Sequence, residues 1–111
     1  MPVFKYYQKN ILKSIQTSSF LKGDFMNNSR HKDGKLNVVG EQIKNYRLKN
    51  GYTYQELSNQ LMLLGVDIHM QAIYNIEKGI RTVVDYELCA FAKCFKITTD
   101  KLLEEYRNTL D

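Results

Sequence analysis

Residues 39–57 read VGEQIKNYRLKNGYTYQEL, and residues 68–81 read IHMQAIYNIEKGIR. In the first stretch Val39, Ile43 and Tyr46 fall on one helical face, and Asn50–Gly51 is a C-terminal stop signal. Thr53 with Glu56 three residues later has the pattern of a capping box, so a second helix starts there and carries Leu57 and Leu61 on its apolar side. In the second stretch Ala72, Ile73 and Ile76 recur at helical spacing, and Gly79 closes the segment. Residues 83–103, VVDYELCAFAKCFKITTDKLL, extend the pattern. A fourth helix carries Leu88, Phe91, Ala92 and Phe95 on one stripe, and a fifth, starting near Thr98 or Thr99, carries Leu102, Leu103 and Tyr106. No period-two run is flanked by hairpin turn residues. The expectation is an all-α, compact five-helix domain over residues 38–111.

Upstream the character changes. Residues 27–37, NNSRHKDGKLN, are polar, basic and almost free of apolar groups, and so read as a linker or arm. Its basic residues are Arg30, His31, Lys32 and Lys35. Phe4, Tyr7, Ile11 and Ile15 recur at three- and four-residue steps, which suits an amphipathic helix ended by Ser18–Ser19 and Gly23. Residues 1–37 are therefore expected to be a largely flexible N-terminal extension and basic arm. Lys22-Gly23-Asp24 can be encoded by a purine-rich stretch resembling a bacterial ribosome-binding site shortly before Met26, so translation is expected to start at Met26 and residues 1–25 to be a start-site artefact. The rival expectation is that the helix of residues 4–15 is real and packs on the domain or across a dimer.

At 111 residues the chain has room for one domain. No apolar run reaches the length of a membrane span, and Lys5, Lys9 and Lys13 interrupt any signal-peptide core. Cys89 and Cys94, five apart on a helix, suit neither a disulfide nor a zinc site, so a reducing, cytoplasmic setting is expected. The net charge of +4 is unevenly spread: residues 1–37 hold seven Lys or Arg against two Asp, whereas residues 38–82 hold five against four acids. Charge alone does not mark the domain as a nucleic-acid binder. His31 and His69 are the only histidines, and no catalytic triad, metal spacing or glycine-rich phosphate loop is present. The chain is not expected to be an enzyme or to need a cofactor.

Two short helices joined by a turn within a small helical unit can lay one helix in a DNA groove. From Val38 to Leu103 the chain resembles the Cro/lambda-repressor type of helix-turn-helix, the XRE family. Four features match in order: the first helix with Ile43 and Arg47, the capped second helix with Thr53, Glu56 and Leu57, the third with Ile73, Ile76, Glu77 and Gly79, and the Leu, Ala and Phe core positions of the last two. The resemblance implies a lambda-repressor-like fold whose third helix enters the major groove. His69 would then cap that helix, and Met70, Gln71, Tyr74 and Asn75 would face the bases. Amides such as Gln71 and Asn75 can bond adenine, and Met70 could touch a thymine methyl. Backbone contacts would come from Thr53, Tyr54, Gln55, His69, Lys78 and Arg81. Arg47 and Glu77 would form a buried or half-buried ion pair that sets the angle of the third helix.

The resemblance has two departures. Tyr54 stands where the family usually has a glutamine that bonds a phosphate and braces the third helix. Residues 62–67, MLLGVD, lengthen the link between the second and third helices and read as an extra turn on the second. The implied function is a sequence-specific regulator of transcription, a repressor, bound as a homodimer to double-stranded DNA with half-sites about 34 Å apart. The competing class keeps the fold but uses the third helix to bind a regulatory protein partner, as an antitoxin or antirepressor does. Near-neutral charge favours that alternative, and the amides at Gln71 and Asn75 favour DNA.

Overall fold

The computed structural model describes residues 31 and 33–111. The amphipathic pattern of residues 4–15, Arg30, Lys32 and the question of the start site lie outside the described residues. Six helices follow in order: α1 (Gly40–Lys49), α2 (Tyr54–Leu63), α3 (Met70–Glu77), α4 (Asp85–Phe95), α5 (Thr99–Leu102) and α6 (Glu104–Asn108). No strand occurs among the described residues, so this part of the chain is all-α.

The helix boundaries follow local chemistry. Thr53 caps α2 in a complete capping box: its Oγ1 accepts from the Glu56 amide at 3.0 Å, and Glu56 Oε1 accepts from the Thr53 amide at 3.2 Å. The other end of α2 runs through Met62 and Leu63 and stops at Gly65, whose φ of 81° is the left-handed conformation that glycine adopts without strain. His69 caps α3 through Nδ1, which accepts from the Gln71 amide at 3.2 Å. Val84 has no side chain that can cap α4, but Glu87 Oε1 accepts from the Val84 amide at 3.1 Å. The segment expected as one fifth helix divides at Leu103 into α5 and α6. Leu103 keeps right-handed helical dihedrals, its amide bonds to the Thr99 carbonyl and its own carbonyl accepts from Arg107, so helical hydrogen bonding continues on both sides of the break.

The core sits where the four longer helices converge. Ile43 of α1, Leu57 and Leu61 of α2, Ile73 and Ile76 of α3, Phe91 of α4 and Leu102 of α5 are fully buried, with Ile68 from the α2–α3 link. Tyr46, Phe95 and Phe91 continue it as stacked rings, with centroids 5.8 Å and 6.3 Å apart in sequence. α3 packs against both α1 and α2, and α4 closes over α1 and α2.

Residues 33–37, polar enough to read as an arm, are bound to this core. Asn37 Nδ2 donates to the Ile76 carbonyl at 2.9 Å and to the Arg81 carbonyl at 2.8 Å. Its Oδ1 accepts from the amides of Val39 and Gly40 at 3.0 and 2.7 Å, which caps α1 from two residues before the usual position. The Leu36 amide bonds the Gly79 carbonyl at 2.8 Å, and the His31 ring meets Tyr106 edge-on. The helical unit therefore runs from His31 to Asp111, where polarity alone places its edge at Val38. One side-chain amide here satisfies four backbone groups, which needs no apolar residue nearby.

This junction also dictates a glycine. A Cβ on Gly40 would fall inside contact distance of the Ile76 carbonyl oxygen, with the Glu77 carbonyl and Asn37 Oδ1 close by, because the start of α1 lies directly on the end of α3. Gly40→Ala is expected to lower stability by about 1–3 kcal/mol, the cost of overpacking against backbone that cannot give way. Asn37→Ala, which leaves two carbonyls and two amides without their partner, is expected to cost at least about 2 kcal/mol. Thermal melts of both against Gly34→Ala, where a Cβ meets open space though φ is positive, check the assignment; equal losses in all three would contradict it.

Candidate functional site

α3 has eight residues, too few to hold an orientation by itself. Ile73 and Ile76 anchor its inner side, and a charged network fixes its rotation. Arg47 Nε donates to Glu77 Oε2 at 2.7 Å and Nη2 to Oε1 at 3.3 Å. The two side chains are only 9% and 2% exposed. Arg47 Nη1 donates to the Tyr52 carbonyl at 3.1 Å, and Tyr54 Oη donates to Glu77 Oε1 at 2.8 Å. The guanidinium also lies 4.0 Å from the Tyr54 ring centre. Arg47 of α1, Tyr54 of α2 and Glu77 of α3 are thus one assembly. The hydrogen bond to Glu77 raises the Arg47 pKa against the opposing effect of burial. Burial first, and the Glu77 carboxylate next, raise that of the Tyr54 phenol.

The outer side of α3 presents Met70, Gln71, Tyr74, Asn75 and Lys78, all on one stripe by helical spacing. Met70, Gln71, Tyr74 and Lys78 are exposed and Asn75 is half-buried. Gln71 Nε2 donates to Asn75 Oδ1 at 3.3 Å. The Tyr74 ring meets the Tyr54 ring edge-on at 5.9 Å, and Lys78 Nζ lies 5.4 Å from the Tyr74 ring centre. The tyrosine at position 54 therefore connects the buried ion pair to the outer stripe.

The structure separates the expected backbone-contact residues. Thr53, Gln55, His69 and Lys78 are exposed around the start of α2 and the two ends of α3. Gln55 Nε2 bonds Asn59 Oδ1 at 2.9 Å. Tyr54 is half-buried, and its hydroxyl donates to Glu77. Arg81 is half-buried and bound within the domain. Its Nη1 and Nη2 donate to the two carboxylate oxygens of Glu87, both at 3.0 Å, and Nη1 also bonds the Thr82 carbonyl at 3.0 Å. Glu87 is 7% exposed at its side chain and Arg81 32%. This bidentate pair joins the α3–α4 link to the first turn of α4.

Glu87 and Asn37 are the residues that sequence reasoning missed. Glu87 had a signal: an acid at the third position of a helix whose cap residue, Val84, has no polar side chain. Asn37 had none beyond its being a polar residue two before a helical run.

Among the described residues no group of three or more His, Cys, Asp or Glu is arranged to hold a metal ion, and no helix is long and apolar enough to cross a membrane. Cys89 is exposed and Cys94 buried, both as free thiols, and burial pushes the Cys94 thiol up.

Tyr54→Phe keeps the ring over Arg47 and removes one hydrogen bond to a buried carboxylate, so a loss of about 1.5–3 kcal/mol is expected in a denaturant titration. An unchanged midpoint would show that the phenol is not a working part of the network. For Glu87, burial alone would raise the carboxyl, but the hydrogen bonds from Arg81 and the Val84 amide bring it below its usual 4.5. A carboxylate depressed in the folded state stabilises above its unfolded pKa, and that contribution is lost as pH falls through the folded value. Glu87→Gln is expected to lower the stability at pH 7, by about 3 kcal/mol at most because Arg81 stays partly solvated. The gap from the unmodified chain should close as pH drops below 4.5; a gap independent of pH would exclude the ion pair as its source. Comparison of the chain with protein-family models, with curated proteins and with solved structures returned no match.

Proposed function

We propose that this chain is a DNA-binding regulator of transcription, a cytoplasmic repressor of the Cro/lambda-repressor helix-turn-helix type, which lays α3 in the major groove and binds as a homodimer. The observation that carries this reading is the contrast between the two sides of α3. The inner side is locked by Ile73, Ile76 and the Arg47–Glu77–Tyr54 assembly, while the outer side offers amide, hydroxyl and thioether groups to solvent. A rigidly held helix with hydrogen-bonding side chains outward is what reading base edges requires, since a helix fits the major groove and bases are distinguished there by donors and acceptors. The family resemblance from Val38 to Leu103 supports the same reading, and the longer α2–α3 link is accommodated as the extra turn of α2 through Met62 and Leu63.

One observation favours the alternative of a protein-binding module. Met62, Leu63 and Leu64 are consecutive, apolar and 51%, 79% and 44% exposed. From Leu57 to Ile76 the only formally charged residue is Asp67, which is unlike a surface that tracks phosphates.

Both readings meet in one experiment. Gel retardation with duplex fragments flanking the chain's own gene is expected to show a shift whose affinity falls with salt. With Lys44, Lys49 and Lys78 of each protomer exposed, two or three phosphate contacts per protomer would put the slope of log affinity against log salt near about −4 to −5 for a dimer. No retarded species at any salt, with a protein co-purifying from the host instead, overturns the DNA reading in favour of the protein-binding one.

A further inference from the structure

We propose that the cleft between residues 31–38, the start of α1 and α6 binds an aliphatic polyamine, with its ammonium groups on Glu41 and Glu105 and its methylene chain along Tyr106 and Val38. None of the outer-stripe residues of α3 lines this cleft, and the inference stands independently of the DNA reading.

The cleft has a volume of about 430 Å³, within the roughly 300–1,000 Å³ of small-molecule sites. Four carboxylates line it, and two are already committed. Glu77 is held by Arg47 and Tyr54, and Asp33 accepts from the Lys35 amide at 2.9 Å and lies 3.2 Å from His31 Nδ1. The other two, Glu41 of α1 and Glu105 of α6, are exposed, and neither has a hydrogen bond or ion pair among the described residues. Lys35 is the one lysine in the lining; its stem packs over Gly79 and its charge acts on Asp33. With Glu77 neutralised by Arg47, the carboxylates of Asp33, Glu41 and Glu105 outnumber Lys35 and His31 whether or not the imidazole is protonated. The lining therefore favours a cation.

The shape of the lining selects which cation. Among the described residues no three His, Cys, Asp or Glu are grouped so that they could hold one metal ion. Two unpaired carboxylates on separate helices fit a molecule that carries separated charges instead. The cleft also has apolar surface: the half-buried Tyr106, whose ring meets His31 edge-on at 5.4 Å, and Val38, which is 37% exposed. Methylene groups gain by covering such surface, and an ammonium is attracted to a tyrosine ring. A polyamine has both features. An inorganic cation lacks the apolar part, and a monoamine lacks the second charge.

The test is a titration of the full chain with spermidine at fixed ionic strength, followed by amide NMR shifts. Saturable shifts are expected at Glu41, Glu105 and Tyr106, and putrescine should bind more tightly than butylamine. Glu41→Gln and Glu105→Gln should each weaken spermidine binding about two- to fivefold, the range of one solvent-exposed ion pair. Both side chains are exposed, so these variants should melt with the unmodified chain. Glu104→Gln is the control: it lies on the same helix, pairs with Lys101 and does not line the cleft, so it should leave the affinity unchanged. An equal loss in Glu104→Gln, shifts scattered over the acidic residues at large, or displacement of spermidine by equimolar magnesium ion would show diffuse counterion attraction and overturn the site. The absence of any saturable shift at millimolar spermidine overturns it outright. None of these outcomes bears on duplex binding.

Discussion

The orientation of α3 depends on the contact between Arg47 and Glu77. Two buried isoleucines hold the helix against the core, but apolar contact is non-directional and tolerates rolling about the helix axis. A planar guanidinium facing a carboxylate with two parallel hydrogen bonds does not. Taking both charges out of water is costly, and the cost is offset only when their remaining hydrogen-bonding capacity is met. Here the Tyr52 carbonyl takes a further Arg47 donor and the Tyr54 phenol supplies a further donor to Glu77. Three helices thereby converge on one pair of charges, and the outward stripe of α3 inherits its direction from that convergence.

A second bidentate pair, Arg81 with Glu87, lies just beyond the same C-terminal end of α3. It ties the chain leaving α3 to the first turn of α4, while Asn37 ties that same stretch to the beginning of α1. On the proposed reading this arrangement has a consequence for affinity. The two arginines nearest α3 are used to hold the fold, so contacts to a nucleic-acid backbone would fall largely to lysines such as Lys78.

Much of this was legible in the sequence, for identifiable reasons. The apolar spacing of Ile43, Leu57, Leu61, Ile73, Ile76 and Phe91 is a one-dimensional signal, and those six side chains are fully buried. The Thr53–Glu56 box is equally local and is present with both of its hydrogen bonds. Arg47 and Glu77 lie between core positions in two helices, and resemblance paired them; the two side chains meet. What could not be read are interactions whose partners are distant or whose donors have several possible acceptors. A surface-type tyrosine gives no sign that its hydroxyl is committed to Glu77. Arg81 reads as a free cation until a carboxylate six residues on is folded back against it. Asn37 lies in a stretch with almost no apolar residue, and hydrophobic periodicity is silent there. The amphipathic pattern of residues 4–15 lies outside the described residues.

Asn37 also bears on the order in which the structure can assemble. Its partners are carbonyls 39 and 44 residues further along the chain, whereas each helix and cap is closed by contacts a few residues apart. Bringing such distant points together carries a loop-closure entropy that local helix formation avoids. The carbonyl of Ile76 is offered to Asn37 only once α3 has docked and ended, and that of Arg81 only once the chain has turned towards α4. The asparagine therefore closes a ring around α1, α2 and α3 after its members exist, as a latch closes on a finished frame.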